Sequence, residues 1–290
     1  MFVKKEFFRF ALLRFFRIYP LHLAILFFLF LFLFVFPPYL ECIIREEPER
    51  FTVGNILANI LLVDNWGIVF FGHPWNGVSW TISLEILAYI AFPFLAFFVN
   101  RIFSVRLCLV LVIGVLLGLG LFMLVTNNLD NNLKWRGGIL RIACEFSCGV
   151  ILSRAYRLGF SSSFPWFGVG CLGLLVLCFI IPFMRPLIYL WLAGFMMSLT
   201  FENDKIARIF ESKFISWLGE ISYSLYLTHM LLLQGIFWLV SPSMQLMNLQ
   251  SKMVLSSLII FFILLFAWFV NIYVERPSRN IGRVVVKHLT

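Results

Sequence analysis

The sequence predicts an all-α protein, a polytopic transmembrane helix bundle of about eight spans with its N-terminus and its C-terminus in the cytoplasm. Of the 290 residues, 62% are hydrophobic and only 13% are charged, and the mean hydropathy is +0.97. Several apolar runs approach the roughly 20 residues that a helix needs to cross about 30 Å of hydrocarbon. A water-soluble domain has too little interior to bury that much apolar surface, so a membrane bundle is predicted.

The predicted spans follow one another closely. The first extends from residue 18 to about 40. After the polar segment 41–50, residues 55–77 are interrupted by polar, Gly and Pro residues, and we expect an interfacial or re-entrant segment because unsatisfied backbone cannot face lipid. The remaining spans are predicted at 78–99, 107–125, 138–153, 164–182, 186–201, 215–240 and 252–274. No linker or soluble insertion is evident, and residues 1–290 are predicted to form a single membrane domain.

The distribution of Lys and Arg predicts the orientation, because cytoplasmic loops retain positive charge. Alternation through the eight spans places sixteen of these residues on one side, which are Lys4, Lys5, Arg9, Arg14, Arg17, Arg101, Arg106, Arg154, Arg157, Lys205, Arg208, Lys213, Arg276, Arg279, Arg283 and Lys287. Six lie on the other, which are Arg45, Arg50, Lys134, Arg136, Arg185 and Lys252. Both termini are therefore predicted to be cytoplasmic.

Charge and cysteine content exclude two other classes. The net charge of +9 lies in short loops, so we expect no nucleic-acid binding. Cys42 is the only cysteine in a predicted loop, and no Cys-x-x-Cys occurs, so we expect neither a disulfide framework nor a metal site. The basic segment 1–17 lacks a small-residue cleavage site and is interpreted as a cytoplasmic anchor.

Ionisable residues inside predicted spans are the first candidates for function, because a charge in lipid is costly. Glu85 lies about two turns into the second span, and helical spacing places it on one face with Thr81 and Tyr89. The alternative is a helix-packing ion pair with Arg141. Arg141 also lies four residues before Glu145, so these two are expected to neutralise each other along one helix.

A polar stripe marks the seventh span. Ser222, Tyr226 and His229 are spaced i, i+4 and i+7 in an otherwise apolar helix, which makes His229 a candidate acid–base group. The alternative is a simple interhelical hydrogen-bond donor.

Two arginines mark the predicted cytoplasmic entrance. Arg14 and Arg17 are one helical turn apart, and two guanidinium groups on one face suit a phosphate or pyrophosphate. The alternative is a positive-inside anchor that contacts anionic lipid headgroups. Spacing alone does not separate these two readings.

Taken in order, these segments resemble the acyltransferase 3 family of bacterial membrane O-acyltransferases. Four blocks carry the resemblance: RFFRIYP at Arg14 to Pro20, WNGVSWTISLEILAYIAFP at Trp75 to Pro93, LGEISYSLYLTH at Leu218 to His229, and YVERPSRNIGR at Tyr273 to Arg283. A weaker fifth block is LRIACEFSCGVILS at Leu140 to Ser153.

The resemblance implies transfer of an acyl group, usually acetyl, from cytoplasmic acyl-CoA to hydroxyls of an extracytoplasmic glycan such as O-antigen, exopolysaccharide or peptidoglycan. It implies a bacterial inner membrane protein whose partners are lipid, acyl-CoA as co-substrate and the glycan, with no permanently bound cofactor. Arg14 and Arg17 correspond to the acyl-donor site, and Glu85 to the Glu of a Trp-Ser-Leu-x-x-Glu block in which Thr81 and Ile82 replace the usual residues. Glu85 and His229 are the catalytic candidates. The substrate-binding candidates are Trp80, Tyr89, Arg141, Ser222, Tyr223 and Tyr226.

One departure from the family pattern weakens this expectation. Relatives ordinarily begin with two further helices that carry an Arg and the presumed catalytic His, so the domain is expected to be N-terminally shortened. The alternatives are a transporter or flippase of a lipid-linked sugar, or an inactive truncated acyltransferase remnant. Acceptor choice is expected to depend on the outer segment 41–77, with His73, Trp75 and Asn76 as candidates.

Overall fold

The computed structural model describes residues 4–35, 45, 48–67, 74–126, 136–161, 164, 166–201, 205–244 and 247–289. Every regular element within these ranges is helical, which confirms the all-α prediction. The α-helices are α1 Lys4–Val35, α2 Val53–Leu61, α3 Ser79–Val99, α4 Val105–Val125, α5 Arg136–Arg157, α6 Phe167–Ile180, α7 Ile188–Ser198, α8 Lys205–Phe210, α9 Lys213–Met244, α10 Leu249–Val270 and α11 Arg276–Leu289. Short 3₁₀ segments at Pro48–Phe51 and Pro182–Leu187, and a π-turn at Asn271–Glu275, complete the set.

The helices explain why the chain is a multi-pass membrane protein. Among the described residues, four segments are long and apolar enough to cross a bilayer: Glu6–Val35, Ser79–Val99, Val105–Val125 and Leu249–Leu289. The predicted spans 164–182 and 186–201 contain α6 and α7, with 14 and 11 residues, which reach about 21 and 16 Å. The count of eight spans and the cytoplasmic placement of both ends stay predictions.

The chain forms two compact units. The middle unit comprises residues 65–67 and 84–216, and the terminal unit comprises residues 2–64, 68–83 and 217–290. Helix α3 belongs to the terminal unit up to Ser83 and to the middle unit from Leu84 onward. That residues 1–290 act as a single domain stays a prediction.

The middle unit is built around an apolar core from α4 to α7. Buried residues of α4 such as Val112 and Leu116 pack with Cys148 of α5 and Cys171 of α6. Small residues allow the close approaches, because a Cβ at Gly120 would lie 2.6 Å from the carbonyl oxygen of Pro186. Cys148 is therefore a packing residue, and Cys42 lies outside the described residues.

In the terminal unit, helix α2 has an inverted distribution of polarity. It buries Asn55 and Asn59, which are 0% and 1% exposed, while Val53 and Leu57 on its other face are 73% and 52% exposed. A soluble helix does the opposite. Burying amides and exposing aliphatic side chains suits a segment whose outer surface faces lipid, in line with the interfacial or re-entrant interpretation.

Helix α1 supports the terminal unit through its buried face. That face carries Ile18, Leu21, His22 and Ile25, each at most 2% exposed. Helix α11 packs closely on α1, since a Cβ at Gly282 would lie 2.6 Å from the Cβ of Phe16. This contact fixes the position of the helix segment that carries Arg14 and Arg17.

Candidate functional site

A hydroxyl pair in the terminal unit joins α3 to α9. Thr81 Oγ1 and the Tyr226 hydroxyl oxygen lie 2.5 Å apart, and the Tyr226 hydroxyl also lies 3.3 Å from the carbonyl oxygen of Val78. The ring of His229 stands 5.9 Å from the Tyr226 ring, centroid to centroid. The structure therefore brings Tyr226 and His229 of the predicted stripe together and adds Thr81 from α3.

The backbone of α9 sets the tautomer of neutral His229. Its Nδ1 lies 2.7 Å from the carbonyl oxygen of Tyr226 and 3.2 Å from that of Leu225. A carbonyl oxygen only accepts hydrogen bonds, so Nδ1 carries the proton. The lone pair then resides on Nε2 of a half-buried side chain, which makes Nε2 the proton-accepting atom of this residue.

Three other predicted substrate-binding residues of the terminal unit lie in environments that differ from one another. Ser222 is exposed and donates its hydroxyl to the carbonyl oxygen of Gly219 in its own helix, at 2.8 Å. The Tyr223 hydroxyl donates to the carbonyl oxygen of Ile18, at 3.3 Å, and so ties α9 to α1. Trp80 is half-buried in the first turn of α3. Their substrate-binding roles stay predictions.

The segment before α3 is fixed by side-chain amides. Asn76 is 4% exposed and its Nδ2 donates to the carbonyl oxygen of Leu227 at 2.9 Å. The backbone N–H of Trp75 donates to Asn59 Oδ1 at 2.8 Å. These bonds hold Trp75 and Asn76 in place, while His73 lies outside the described residues.

Arg14 and Arg17 lie one turn apart in continuous α1, as their spacing predicts. Arg14 is half-buried, with its guanidinium carbon 5.3 Å from the centre of the Phe10 ring, whereas Arg17 is exposed. An exposed cation beside a half-buried one suits a ligand that arrives from solvent. Both positions project from the same stretch of helix that Gly282 packs against.

In the middle unit, Glu85 and Tyr89 share a face of α3, as predicted. The Tyr89 hydroxyl donates a hydrogen bond to Glu85 Oε1, and both side chains are half-buried. The Tyr89 ring also packs edge-on against Phe146, with 6.2 Å between centroids. One oxygen of the Glu85 carboxylate is thus oriented by a phenol on its own helix.

Arg141 and Glu145 neutralise each other along α5, which confirms that prediction. Arg141 Nε lies 2.9 Å from Glu145 Oε1, and the guanidinium carbon stands 5.7 Å from the centre of the Tyr189 ring. This geometry favours a structural role for the pair. The substrate-binding role predicted for Arg141 stays a prediction.

Sequence reasoning missed His22, which is fully buried. Its Nε2 lies 2.8 Å from the carbonyl oxygen of Asn59, a residue 37 positions away. Asn59 is itself held by its Nδ2, which lies 2.9 Å from the carbonyl oxygen of Asn55 and 3.2 Å from Asn55 Oδ1. The signal that could have found it is the high cost of an ionisable residue in lipid, since His22 lies within the first predicted span.

Asp64, one of the polar residues that interrupt segment 55–77, is a buried carboxyl, 3% exposed. Burial raises the pKa of Asp64 from 3.8 to about 6, against smaller lowering effects of a backbone hydrogen bond and a hydrogen bond with Ser83. Desolvation disfavours the charged form, which explains the direction. Asp64 therefore keeps its proton to a higher pH than an exposed Asp does.

Glu275 forms a second buried carboxylate cluster, within the block YVERPSRNIGR. It is 1% exposed and its Oε2 accepts hydrogen bonds from Ser224 Oγ at 2.6 Å and Asn271 Nδ2 at 2.9 Å. Arg279 Nη1 lies 3.5 Å from Oε1. The cluster joins α9 to the π-turn and α11, so its hydrogen bonds support a structural role for Glu275.

Comparison with known proteins identifies the family. A family model described as an acyltransferase domain matches residues 1–274, a range that contains the first three blocks and the weaker fifth one, while most of YVERPSRNIGR follows it. Neither the curated proteins nor the solved structures provide a match. Because the family model covers nearly the whole chain, the protein belongs to the acyltransferase 3 family, as the sequence motifs suggested.

Proposed function

We propose that this protein is a membrane O-acyltransferase that moves an acyl group, acetyl in the simplest case, from acyl-CoA to a hydroxyl of an extracytoplasmic glycan. The observation that carries the proposal is the family match over residues 1–274. The glycan class proposed is O-antigen, exopolysaccharide or peptidoglycan, and the location proposed is the bacterial inner membrane. Apolar helices long enough to cross a bilayer support that location.

Arg14 and Arg17 are proposed to bind the diphosphate of acyl-CoA. Guanidinium groups pair with phosphate oxygens through two parallel hydrogen bonds, which are stronger than neutral ones. Arg17 is exposed to an incoming ligand and Arg14 is half-buried one turn before it. Packing of Gly282 on Phe16, between the two arginines in sequence, keeps this part of α1 in place.

His229 is proposed as an acid–base group of the terminal unit. With its Nδ1–H directed at the carbonyl oxygens of α9, Nε2 is left to accept a proton. Tyr226, Tyr223, Ser222 and Trp80 are the proposed sugar-binding residues of the terminal unit. Glu85, with Tyr89 bonded to its carboxylate, is the proposed acid–base group of the middle unit.

Donor binding tests the arginine assignment. The full chain in lipid nanodiscs is titrated with labelled acetyl-CoA, and the Arg14→Ala, Arg17→Ala double variant is compared with wild type. We expect Kd to rise at least about tenfold, because hydrogen bonds to charged groups contribute about 1.5–3 kcal/mol each and 1.4 kcal/mol is a factor of ten.

The matched control is the Arg101→Ala, Arg106→Ala double variant, which removes two exposed arginines at the junction of α3 and α4, on the predicted cytoplasmic side. An equal rise in Kd in both double variants would show that donor binding depends on general positive charge. An unchanged Kd in the Arg14, Arg17 variant would disprove the donor site.

Turnover tests the histidine assignment. His229→Gln should lower kcat for acetyl transfer by about 10²–10⁴, the usual contribution of a general acid–base group, without a change in the Kd for acetyl-CoA. A variant with wild-type kcat would leave His229 as a structural hydrogen-bond donor of α9.

A further inference from the structure

The two described histidines within predicted membrane spans are held in opposite tautomers. His229 directs Nδ1 at carbonyl oxygens of its own helix. His22 instead directs Nε2 at the carbonyl oxygen of Asn59, 2.8 Å away on α2. Since a carbonyl oxygen only accepts, Nε2 of neutral His22 carries the proton and Nδ1 carries the lone pair.

The lone pair of His22 is buried without a partner. The side chain is 0% exposed, and within the described part of the chain Nδ1 has no hydrogen-bond partner. Buried polar atoms are nearly always paired, so a native exception requires an explanation. A group that donates an O–H or N–H to Nδ1 supplies one.

The orientation of this lone pair is set by tertiary structure. The bond of His22 to Asn59 joins residues 37 positions apart. Asn59 is fixed in turn by its bonds to Asn55 and by the N–H of Trp75, which lies 2.8 Å from its Oδ1. The bonds of His229 lie within one helix and form wherever that helix forms. Three segments, which contain His22, Asn59 and Trp75, therefore hold the His22 ring in this orientation.

His22 also lies on the helix that carries the proposed donor arginines. It follows Arg14 by eight residues and Arg17 by five in continuous α1, which correspond to about 12 and 7.5 Å along the helix axis. A donor whose diphosphate binds the arginines has a long flexible arm that ends in the thioester. His22 lies on the same helix, within the length of such an arm from both arginines.

We propose that His22 Nδ1 is a proton acceptor in acyl transfer, taking the proton of the acceptor hydroxyl directly or through one water; this rests on the proposed function. As the hydroxyl oxygen bonds to the thioester carbonyl carbon, its proton moves to Nδ1. The carbon–sulfur bond then breaks, and the proton passes from Nδ1 to the departing thiolate. Neutral His22 and free CoA are restored, so protons and electrons balance.

Two substitutions separate this role from a structural one. His22→Gln places an amide N–H near the position of Nε2 and keeps a donor for Asn59. His22→Asn places an amide oxygen near the position of Nδ1 and keeps a hydrogen-bond acceptor, but an amide does not take up a proton at neutral pH. We expect kcat for CoA release from acetyl-CoA in proteoliposomes to fall at least about a hundredfold in both variants, with the Kd for acetyl-CoA unchanged.

Each other outcome overturns the proposal. Wild-type kcat in His22→Gln would mean that only the Nε2 donor matters, and wild-type kcat in His22→Asn would mean that Nδ1 only accepts a hydrogen bond. A wild-type protein that releases no CoA would instead refute the proposed function, and this inference with it. An active wild type beside active variants refutes this inference alone.

A measurement without turnover tests the tautomer itself. The chain has four histidines, so the ring-nitrogen NMR spectrum of the ¹⁵N-histidine-labelled protein is simple enough to assign with His22→Gln and His229→Gln. We expect a protonated Nε2 and an unprotonated Nδ1 for His22, and the reverse for His229. A protonated Nδ1 on His22 at pH 7 would refute the proposal.

Discussion

The hydroxyl oxygens of Thr81 and Tyr226 lie 2.5 Å apart, and this bond joins the first turn of α3 to α9. Asn76 adds a second bond between the same two segments, from Nδ2 to the carbonyl oxygen of Leu227 at 2.9 Å. The helix that carries His229 is therefore positioned by polar contacts as well as by apolar packing.

The hydroxyl pair should show energetic coupling. In a double-mutant cycle of Thr81→Val and Tyr226→Phe, we expect a coupling free energy of about 1 kcal/mol, because each single change removes the bond between the two hydroxyls. The measurement is the free energy of unfolding in detergent. Ser222→Ala is the control, since the Ser222 hydroxyl is exposed and donates to a carbonyl oxygen of its own helix, and it should change stability by less than about 0.5 kcal/mol. Strictly additive effects would contradict this account.

Close packing of α11 on α1 requires glycine at position 282. A Cβ there would lie 2.6 Å from the Cβ of Phe16, which has no freedom to move without its backbone. Gly282→Ala should cost about 1–3 kcal/mol of stability, as overpacking does. Gly149→Ala, where a Cβ would meet nothing within 4 Å, should instead stabilise its helix by up to about 1 kcal/mol. Equal melting temperatures for the two variants would argue against this packing.

The two carboxylates near the π-turn should differ in their effect on stability. Glu275→Ala removes the buried acceptor of Ser224 and Asn271. We expect a loss of about 2–3 kcal/mol because Ser224 loses this acceptor, while Asn271 Nδ2 keeps only its bond to the carbonyl oxygen of Glu220, at 3.0 Å. Glu220 pairs with Arg276 at 2.6 Å, but the two side chains are 56% and 45% exposed. Glu220→Ala should therefore cost at most about 1 kcal/mol. Denaturant titrations of the two variants under one condition make the comparison, and a larger loss for Glu220→Ala would be inconsistent with it.

Asp64 should make stability fall as pH rises. Its pKa is raised from 3.8 to about 6 in the folded chain, so between these values the folded state retains a proton that the unfolded state has released. This difference in pKa corresponds to about 3 kcal/mol of unfolding free energy. That stability is lost as the pH rises from about 4 to 7. Asp64→Asn removes this dependence.

The measurement is the difference in unfolding free energy between Asp64→Asn and wild type. We expect the difference to be near zero at pH 4 and to grow in favour of Asp64→Asn toward pH 7. A difference that stays constant across this range would show that Asp64 does not titrate in the interval.

The fold class was predictable because each long apolar run is a local feature. Helices α1, α3, α4 and α10 have the length and composition of spans, and the Arg141–Glu145 pair follows from spacing within one helix. Segments 164–182 and 186–201 were less predictable, because apolar composition does not show where a helix ends. The 3₁₀ turn at Pro182–Leu187 shortens both.

The polar interior of the terminal unit was harder to predict, since its bonds join distant residues. The orientation of the His22 ring depends on its hydrogen bond to Asn59, 37 residues away, which no local pattern predicts. Asn55 and Asn59, spaced i and i+4 beside exposed Leu57, did carry a local signal of an inward polar face. Ser224 and Glu275 lie 51 residues apart, and no pattern in either segment indicates their contact.

Acyl transfer by the reconstituted chain tests the central claim most directly. Purified protein is placed in proteoliposomes with radiolabelled acetyl-CoA on the side of Arg14 and a bacterial glycan preparation on the other side. The account predicts release of CoA and label recovered as an alkali-labile ester on the glycan, both diminished in the Arg14→Ala, Arg17→Ala variant and retained in the Arg101→Ala, Arg106→Ala variant. Tight binding of acetyl-CoA with neither CoA release nor labelled glycan would contradict it.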